Sequence, residues 1–421
     1  MEIKPITGLN VTVTVPGSKS YTQRALIIAA LAQGRSSLQN ALISEDTGYV
    51  MDALKALGAE IAVDGEAVTI SGTAGRLRNP GHVIYLGNNG TAMRLLTGVV
   101  ALGTATVTLT GTSRLCQRPI KPLLDALTSL GADAESQGED GCPPVVVHAH
   151  GLRGGSVTLA DIESSQYISA LLLSAPFAGN DTTIELQGEI PSLPYVAMTV
   201  AVMEAFGVTV RHDVPSHYVV TSNQRYQGRR YAIEGDCSSA SYFFLAAALC
   251  RGRVRVQHIN PQSLQGDLGF LTILERLGCL VTRGEDWVEV AGGELAAGEL
   301  SFNLGAMPDM VPTLAALAAV RPGRTVITHV PHLRAKESNR LEALVQELKK
   351  VGVRATEQAD GLVIEGNTPH GAVIETYHDH RIAMSFAVLG LVVPGITIVD
   401  ESCVDKSFPD FWGELGKLYG R

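Results

Sequence analysis

The apolar positions of this chain fall into one phrase that recurs six times. A short polar loop leads into an Ala/Leu-rich run of helical length. A Gly-centred turn follows, then a β-branched segment with period-two alternation. The copies begin at Pro16, Leu86, Ile162, Glu234, Ala306 and Tyr377, with successive starts roughly 70–76 residues apart. The apolar runs, such as Val311–Val320, have the length of core helices and fall short of the ~20 residues of a membrane span.

A second helix recurs in the same phase. It ends at Gly58, Gly131, Gly207, Gly278 and Gly352, where a residue of positive φ is expected to stop a helix. Two short alternating segments follow each glycine. In Ala59–Ser71 the pair Asp64-Gly65 signals a hairpin. One unit is therefore helix, strand, helix and two strands, with further extended residues between units.

Six units divide as three plus three. The last ends at Gly420-Arg421, straight after its second helix, whereas Glu2–Ile6 and Asn10–Val15 are extended before any helix. These N-terminal strands are expected to complete the last unit. The chain would then cross between two domains at about Val15–Ser18 and again at about Gln227–Tyr231. The expected domains are 16-229 and 1-15 plus 230-421, joined by a double hinge, with a ligand site in the cleft between them.

Composition narrows the function. Of 421 residues, 45% are hydrophobic and 18% charged, which fits globular domains with ample core. Aromatics at 5% argue against a base-stacking surface. A net charge of −9 gives no general field for nucleic acid or an anionic membrane, so anionic ligands must be held locally. The six cysteines form no CxxC pair, which argues against a disulfide framework or zinc site and fits a reducing cytoplasm. The first fifteen residues lack the pattern of a secretory leader.

The polar loops precede helices, whose N-terminal N–H groups and dipoles attract anions. Capping by Ser, Asp and Asn would explain polarity there, but not the cations. Loop one carries Lys19 and Ser20, with Arg24 one turn on. Loop two, Gly87–Thr91, is glycine-rich and lets backbone N–H groups approach an anion. Arg94, Arg114, Arg118 and Lys121 follow it. Loop three offers Ser164, Ser165 and Gln166, with Ser192 and Tyr195 before the next helix. In the second half, Asp309 interrupts an apolar stretch and is a candidate base. Lys336 and Arg340 share a helix face, with Glu337 beside them. Asp379-His380-Arg381 opens the sixth copy, and Lys406 lies in Asp405–Pro409. A metal site at His378-Asp379-His380 lacks a third cluster of ligands.

Together these segments resemble the 5-enolpyruvylshikimate-3-phosphate synthases, the 3-phosphoshikimate 1-carboxyvinyltransferase family. The resemblance runs from Pro16-Gly17-Ser18-Lys19-Ser20 to Lys406-Ser407-Phe408-Pro409. It is carried most specifically by Gly87–Arg94, Arg334–Arg340 and Asp379–Met384. It implies an α/β fold of two similar domains, each of three βαβαββ repeats in an inverted barrel-like arrangement. It also implies transfer of the enolpyruvyl group of phosphoenolpyruvate to the 5-hydroxyl of shikimate 3-phosphate, with release of phosphate. By matching positions, Lys19, Ser20, Arg24, Ser164, Ser165, Gln166, Ser192, Tyr195, Asp309 and Lys336 would bind shikimate 3-phosphate. Lys19, Gly90, Arg118, Gln166, Arg340, Arg381 and Lys406 would bind phosphoenolpyruvate. Asp309, Glu337 and Lys19 would move protons, with His380 nearby. The expected protein is a cytoplasmic monomer that needs no cofactor or metal.

Some positions depart from the family pattern. Asn89 stands where Ala or Ser is expected and would crowd the phosphoenolpyruvate loop, altering sensitivity to the family's inhibitor glyphosate. Leu95 stands where many members have Pro, and His332 where an Asn is common. Two other readings stay open. One is the related UDP-N-acetylglucosamine enolpyruvyl transferase, whose mobile-loop cysteine Cys116 would supply. The other is a non-catalytic anion-binding protein of the same fold.

Overall fold

The computed structural model describes residues 1–213 and 216–420. Arg421, placed at the end of the second domain by the sequence reading, lies outside the described residues. The chain divides into two compact units, Gly17–Ile233 and Met1–Pro16 with Glu234–Arg421.

In the unit 17–233 the repeat begins with a helix buried on nearly every side. These helices are Lys19–Leu31, Gly90–Val100 and Gln166–Ser174. Such a helix must lie inside, because it has no polar face to give to water. The sheets therefore cover the helices. Strand Arg35–Gln39 alternates exposed and buried positions, as a sheet with one wet face requires. The second helices, for example Lys121–Ser129, bury only one side, through Leu123, Leu124, Ala126 and Leu127.

Each four-stranded sheet pairs its first two strands in parallel and adds an antiparallel hairpin. The second sheet runs Ile84–Tyr85, Thr106–Thr110, Val145–His148, Asp133–Ser136. The third runs Gly155–Ala160, Thr182–Gln187, His217–Val220, Val210–Asp213. In the first sheet the edge strand comes from the far end of the unit. Arg230–Ala232 lies parallel to Arg35–Gln39, with Arg230 opposite Ser37. That pairing keeps the chain in this unit to Ile233, slightly beyond the crossing the sequence suggested.

The other unit repeats the plan. Its helices Cys237–Leu249 and His380–Gly390 are buried along their whole length, and Val311–Val320 along all but its last residue. Asn10–Thr14 is the edge strand beside Arg253–Gln257, with Asn10 opposite Arg253. Leu300–Asn303 plays that part beside Gly323–Thr328. The sixth sheet has only Val373–Ile374 and Thr397–Ile398, extended by a bridge from Glu2 to Thr397. The sequence reading assigned both N-terminal strands to the last repeat. Glu2 does belong there, but Asn10–Thr14 completes the fourth repeat. Period-two alternation identifies a strand and does not name its partner.

The expected helix-stopping glycines all have positive φ: Gly58 at 107°, Gly131 at 93°, Gly207 at 89°, Gly278 at 99° and Gly352 at 81°. The hairpin joins Glu60–Asp64 to Ala67–Ser71 with Asp64 opposite Ala67. Near the chain end, Phe408 and Phe411 pack 5.7 Å apart edge-on, and Phe411 meets Tyr242 at 6.0 Å. This cluster fixes the segment that follows Lys406 against the helix Cys237–Leu249.

Candidate active site

The sequence-selected residues form one cluster in each unit. In the unit 17–233 they gather at the N-terminal ends of the buried helices. Ser18 caps the first helix by accepting from Tyr21 N, which leaves Lys19 and Ser20 in its first turn. Lys19 Nζ lies 3.1 Å from Asp46 Oδ2, and Asp46 is almost fully buried. Arg24 is buried too. Its Nε donates to Thr199 Oγ1 at 2.7 Å, its Nη1 to the Ser20 carbonyl at 3.0 Å and its Nη2 to the Tyr195 carbonyl at 3.2 Å. Burial lowers its guanidinium to about 10, so it is still a cation at neutral pH. Ser20, Arg24 and Tyr195 thus meet as a group.

Gly90 opens the second buried helix, and Arg118 lies against it. A Cβ at Gly90 would fall 2.4 Å from Arg118 Cζ, so only glycine admits the guanidinium here. Arg118 Nη1 donates to the Asn88 carbonyl at 3.1 Å. Gln166 is held from two sides. Its Oε1 accepts from Arg94 Nη1 at 2.7 Å, and its Nε2 donates to Thr91 Oγ1 at 2.9 Å. Its backbone N–H donates to Ser164 Oγ at 3.3 Å. Ser165 is buried at the start of that helix, and Ser192 is a buried residue with φ of 57°.

One reading changes in this unit. The expected basic cluster separates: Arg118 is buried, while Lys121 is exposed and pairs with Asp125 at 2.7 Å. Arg114 is half-buried, with its Nη1 3.5 Å from Gln117 Oε1. Asn89, expected to crowd the phosphoenolpyruvate loop, is anchored on both sides of its amide. It is buried, its Oδ1 accepts from Ala92 N at 2.9 Å, and its Nδ2 donates to the Asp46 carbonyl at 2.9 Å. Cys116 Sγ sits 3.8 Å from Thr110 Oγ1 and 3.9 Å from the Gly111 carbonyl.

The second cluster is built around Arg340, which has no exposed side-chain surface. Its Nη1 donates to Asp309 Oδ1 at 3.1 Å and its Nη2 to Glu337 Oε2 at 2.8 Å. Its Nε donates to Asp379 Oδ2 at 2.9 Å. Burial opposes this charge, but Asp379, Glu337 and Asp309 outweigh it and hold the guanidinium firmly protonated. Arg381 Nη2 donates to the other Asp309 oxygen at 2.8 Å. Asp309 therefore lies between two arginines. Burial raises its proton affinity, yet Arg381, Lys336 and Arg340 together hold its carboxyl well below the usual carboxylate range.

His380 is the first residue of its helix and is fully buried. Lys406 ends the turn Glu401–Lys406 and is buried. Lys336 ends the turn Pro331–Ala335. The neighbouring Arg334 serves the framework, donating to Glu357 Oε1 at 2.9 Å and to the Ala359 carbonyl at 2.8 Å. Among the described residues, no group of three or more His, Cys, Asp or Glu is placed to hold a metal. No helix among them is long and apolar enough to cross a membrane.

Sequence reasoning named Asp379 only within Asp379-His380-Arg381, without its partner Arg340, and did not name Asp46. Asp267 is buried and accepts from Ser238 Oγ. Burial, then Asp309, push its carboxyl up to about 7. The available signal was an acid within a Gly-rich phrase, Gln265-Gly266-Asp267, before an apolar run.

Comparison with known proteins follows the same line. The family model of EPSP synthase (3-phosphoshikimate 1-carboxyvinyltransferase) matches residues 3–415. A 3-phosphoshikimate 1-carboxyvinyltransferase of Syntrophobacter fumaroxidans is 47% identical over 419 residues, covering 99% of each chain. One from Trichormus variabilis is 43% identical, covering 98% of this chain and 97% of its own. Among solved structures, an EPSP synthase from Acinetobacter baumannii superposes with a TM-score of 0.82 at 29% identity. It covers 99% of this chain and 97% of that one. With its repeats and both clusters of charged residues in place, the chain belongs to the EPSP synthase family.

Proposed function

We propose that the protein transfers the enolpyruvyl group of phosphoenolpyruvate to the 5-hydroxyl of shikimate 3-phosphate and releases inorganic phosphate. The observation that carries this reading is the placement of Asp309. A carboxylate locked between two arginines is ionised and fixed in position, as a base needs to be. It accepts the hydroxyl proton as the oxygen attacks the alkene carbon.

In the free protein Arg381, Lys336 and Arg340 weaken Asp309 as a base. Bound substrates change that balance. A phosphate engaging Lys336, and a carboxylate engaging Arg381 and Arg340, bring negative charge beside Asp309 and draw the cations toward themselves. Both effects raise its proton affinity at the moment the base is needed. The methylene carbon gains a proton from Glu337 or Lys19, and the resulting methyl group gives a proton back as the C–O bond to phosphate breaks, which restores the alkene in the product. The tetrahedral intermediate carries a carboxylate and a phosphate on one carbon. Arg118, Arg340, Arg381, Lys19 and Lys406 offset that charge.

Ser20, Arg24, Ser164, Ser165, Ser192 and Tyr195 suit the phosphate and hydroxyl groups of shikimate 3-phosphate. Gln166, already held by Arg94 and Thr91, is shared by both substrates. Gly90 leaves room for Arg118 to face phosphoenolpyruvate. The two clusters thus serve one pair of small-molecule substrates, in a monomeric cytoplasmic enzyme. No step needs an electron sink or a redox partner.

The test is phosphate release from phosphoenolpyruvate in metal-free buffer. Release that requires shikimate 3-phosphate supports the proposal. Release only with UDP-N-acetylglucosamine replaces it with the related transferase, and no release with either leaves a binding protein.

A further inference from the structure

The loop before the helix His380–Gly390 is held in a costly shape. Tyr377 and His378 both have positive φ, 55° and 54°, and the Asp379 N–H donates to the Thr376 carbonyl at 2.8 Å. Two consecutive left-handed residues closed by such a bond are the pattern of a type I′ turn, which favours Asn and Gly. A tyrosine there is an outlier. The corresponding turn of the second repeat, closed from Asn89 N to the Leu86 carbonyl at 3.0 Å, is left-handed only at Gly87, where a Cβ would meet the Tyr49 ring at 2.3 Å.

The side chains of this turn reach in two directions. Tyr377 Oη lies 2.7 Å from Glu347 Oε1 and 2.7 Å from Gln346 Oε1, both on the helix that starts with Arg340. Glu347 is itself fully buried and accepts from the Glu375 N–H at 3.0 Å. His378 Nδ1 lies 2.6 Å from Asp400 Oδ2, at the start of the turn that ends in Lys406. The helix opened by Asp379 carries Arg381. The elements bearing Arg340, Arg381 and Lys406 therefore all meet at this one turn.

We propose that Tyr377 is a positioning residue for phosphoenolpyruvate, its hydroxyl holding a left-handed turn that sets Arg381 and Lys406 relative to Arg340. The tie holds a residue with a Cβ at the first left-handed position of this turn, which in the second repeat is glycine, and links the turn to the Arg340 helix. The ligand named here rests on the function proposed above, while the mechanical part does not.

The test compares Tyr377→Phe with Tyr377→Gly. Phenylalanine keeps the ring but loses the tie, so the turn relaxes. Glycine loses the ring but enters the left-handed region freely. The expected result is a rise of about tenfold in KM for phosphoenolpyruvate for Phe with kcat nearly unchanged, and a smaller rise for Gly. Amide exchange across residues 376–381 should quicken about tenfold in Phe and less in Gly. A tyrosine that only fills space predicts the reverse order, and that order overturns the proposal. Unchanged exchange and KM in Phe overturn it as well. If the parent enzyme turns over neither substrate pair, the function reading fails, and exchange alone still decides the role of Tyr377.

Discussion

Arg340 and Asp379 are joined twice, Nε to Oδ2 at 2.9 Å and Nη2 to Oδ1 at 3.2 Å, with no exposed side-chain surface on either residue. Asp379 also accepts from the Arg381 N–H at 3.0 Å and from Ser338 Oγ at 3.0 Å. One carboxylate therefore orients the arginine of one helix and opens the helix of the next.

Asp379→Ala is expected to cost about 3–5 kcal/mol, because it strips a buried arginine of its two-point partner. Both tryptophans, Trp287 and Trp412, lie in the same unit as this pair. Urea unfolding followed by tryptophan fluorescence thus reads this unit directly. A midpoint equal to the parent's would show that Glu337 and Asp309 suffice for Arg340.

Gly90→Ala tests the contact with Arg118. Gly90 is not among the positive-φ glycines, so alanine strains no backbone there. The added methyl must push the guanidinium aside. KM for phosphoenolpyruvate should rise about tenfold or more, with thermal stability within about 1 kcal/mol of the parent. A lowered melting temperature with unchanged KM would place the contact in the framework and remove Arg118 from the site.

Asp267 and His332 give opposite pH signatures. Burial and Asp309 raise the Asp267 carboxyl from 3.8 to about 7, so the folded protein binds the extra proton. Its contribution then falls as pH rises from about 4 to 7. Asp267→Asn should gain stability relative to the parent across that window. His332 is buried, and burial, then Lys336, lower it from 6.5 to about 3. The unfolded chain binds that proton first, so the stability is present above about 6.5 and is lost as pH falls toward 3. His332→Asn should therefore lessen the loss of stability in acid. Parallel stability-versus-pH curves for parent and variants would remove both assignments.

Asp309→Asn should lower kcat by about 10²–10⁴, the range of a general base. The amide cannot take the hydroxyl proton, although it keeps the size of the side chain. An unchanged kcat would transfer the base role to another group. Isotope exchange between the substrates would separate lost chemistry from lost binding.

Much of this was legible in the sequence because repeats are legible. The glycines at 58, 131, 207, 278 and 352 marked the helix ends, since few other residues tolerate the required φ. The charged residues stood out because capping has no use for a lysine or arginine at a helix start. What stayed hidden was pairing at a distance. Nothing in Asn10–Thr14 says that its neighbour is Arg253–Gln257, because a strand's alternation is the same beside any partner. The partners of Asp46 and Asp379 were hidden for a related reason. An acid at a helix start has a local explanation, and its long-range partner appears only after folding.

The edge strands give this chain a particular order of birth. Gly17–Ile233 contains every strand its sheets need, and its last strand, Arg230–Ala232, closes the sheet of its first repeat. A ribosome that has released Ile233 has delivered a complete unit. Met1–Pro16 is made before all of it and waits. Its strand Asn10–Thr14 has no neighbour until Arg253–Gln257 is translated, and Glu2 has none until Thr397. Residues 1–16 are thus translated before the inserted unit and seated after it. A nascent chain stalled midway holds a finished insert beside an unpaired strand Asn10–Thr14, which makes that strand the natural point of attack for a chaperone or a protease.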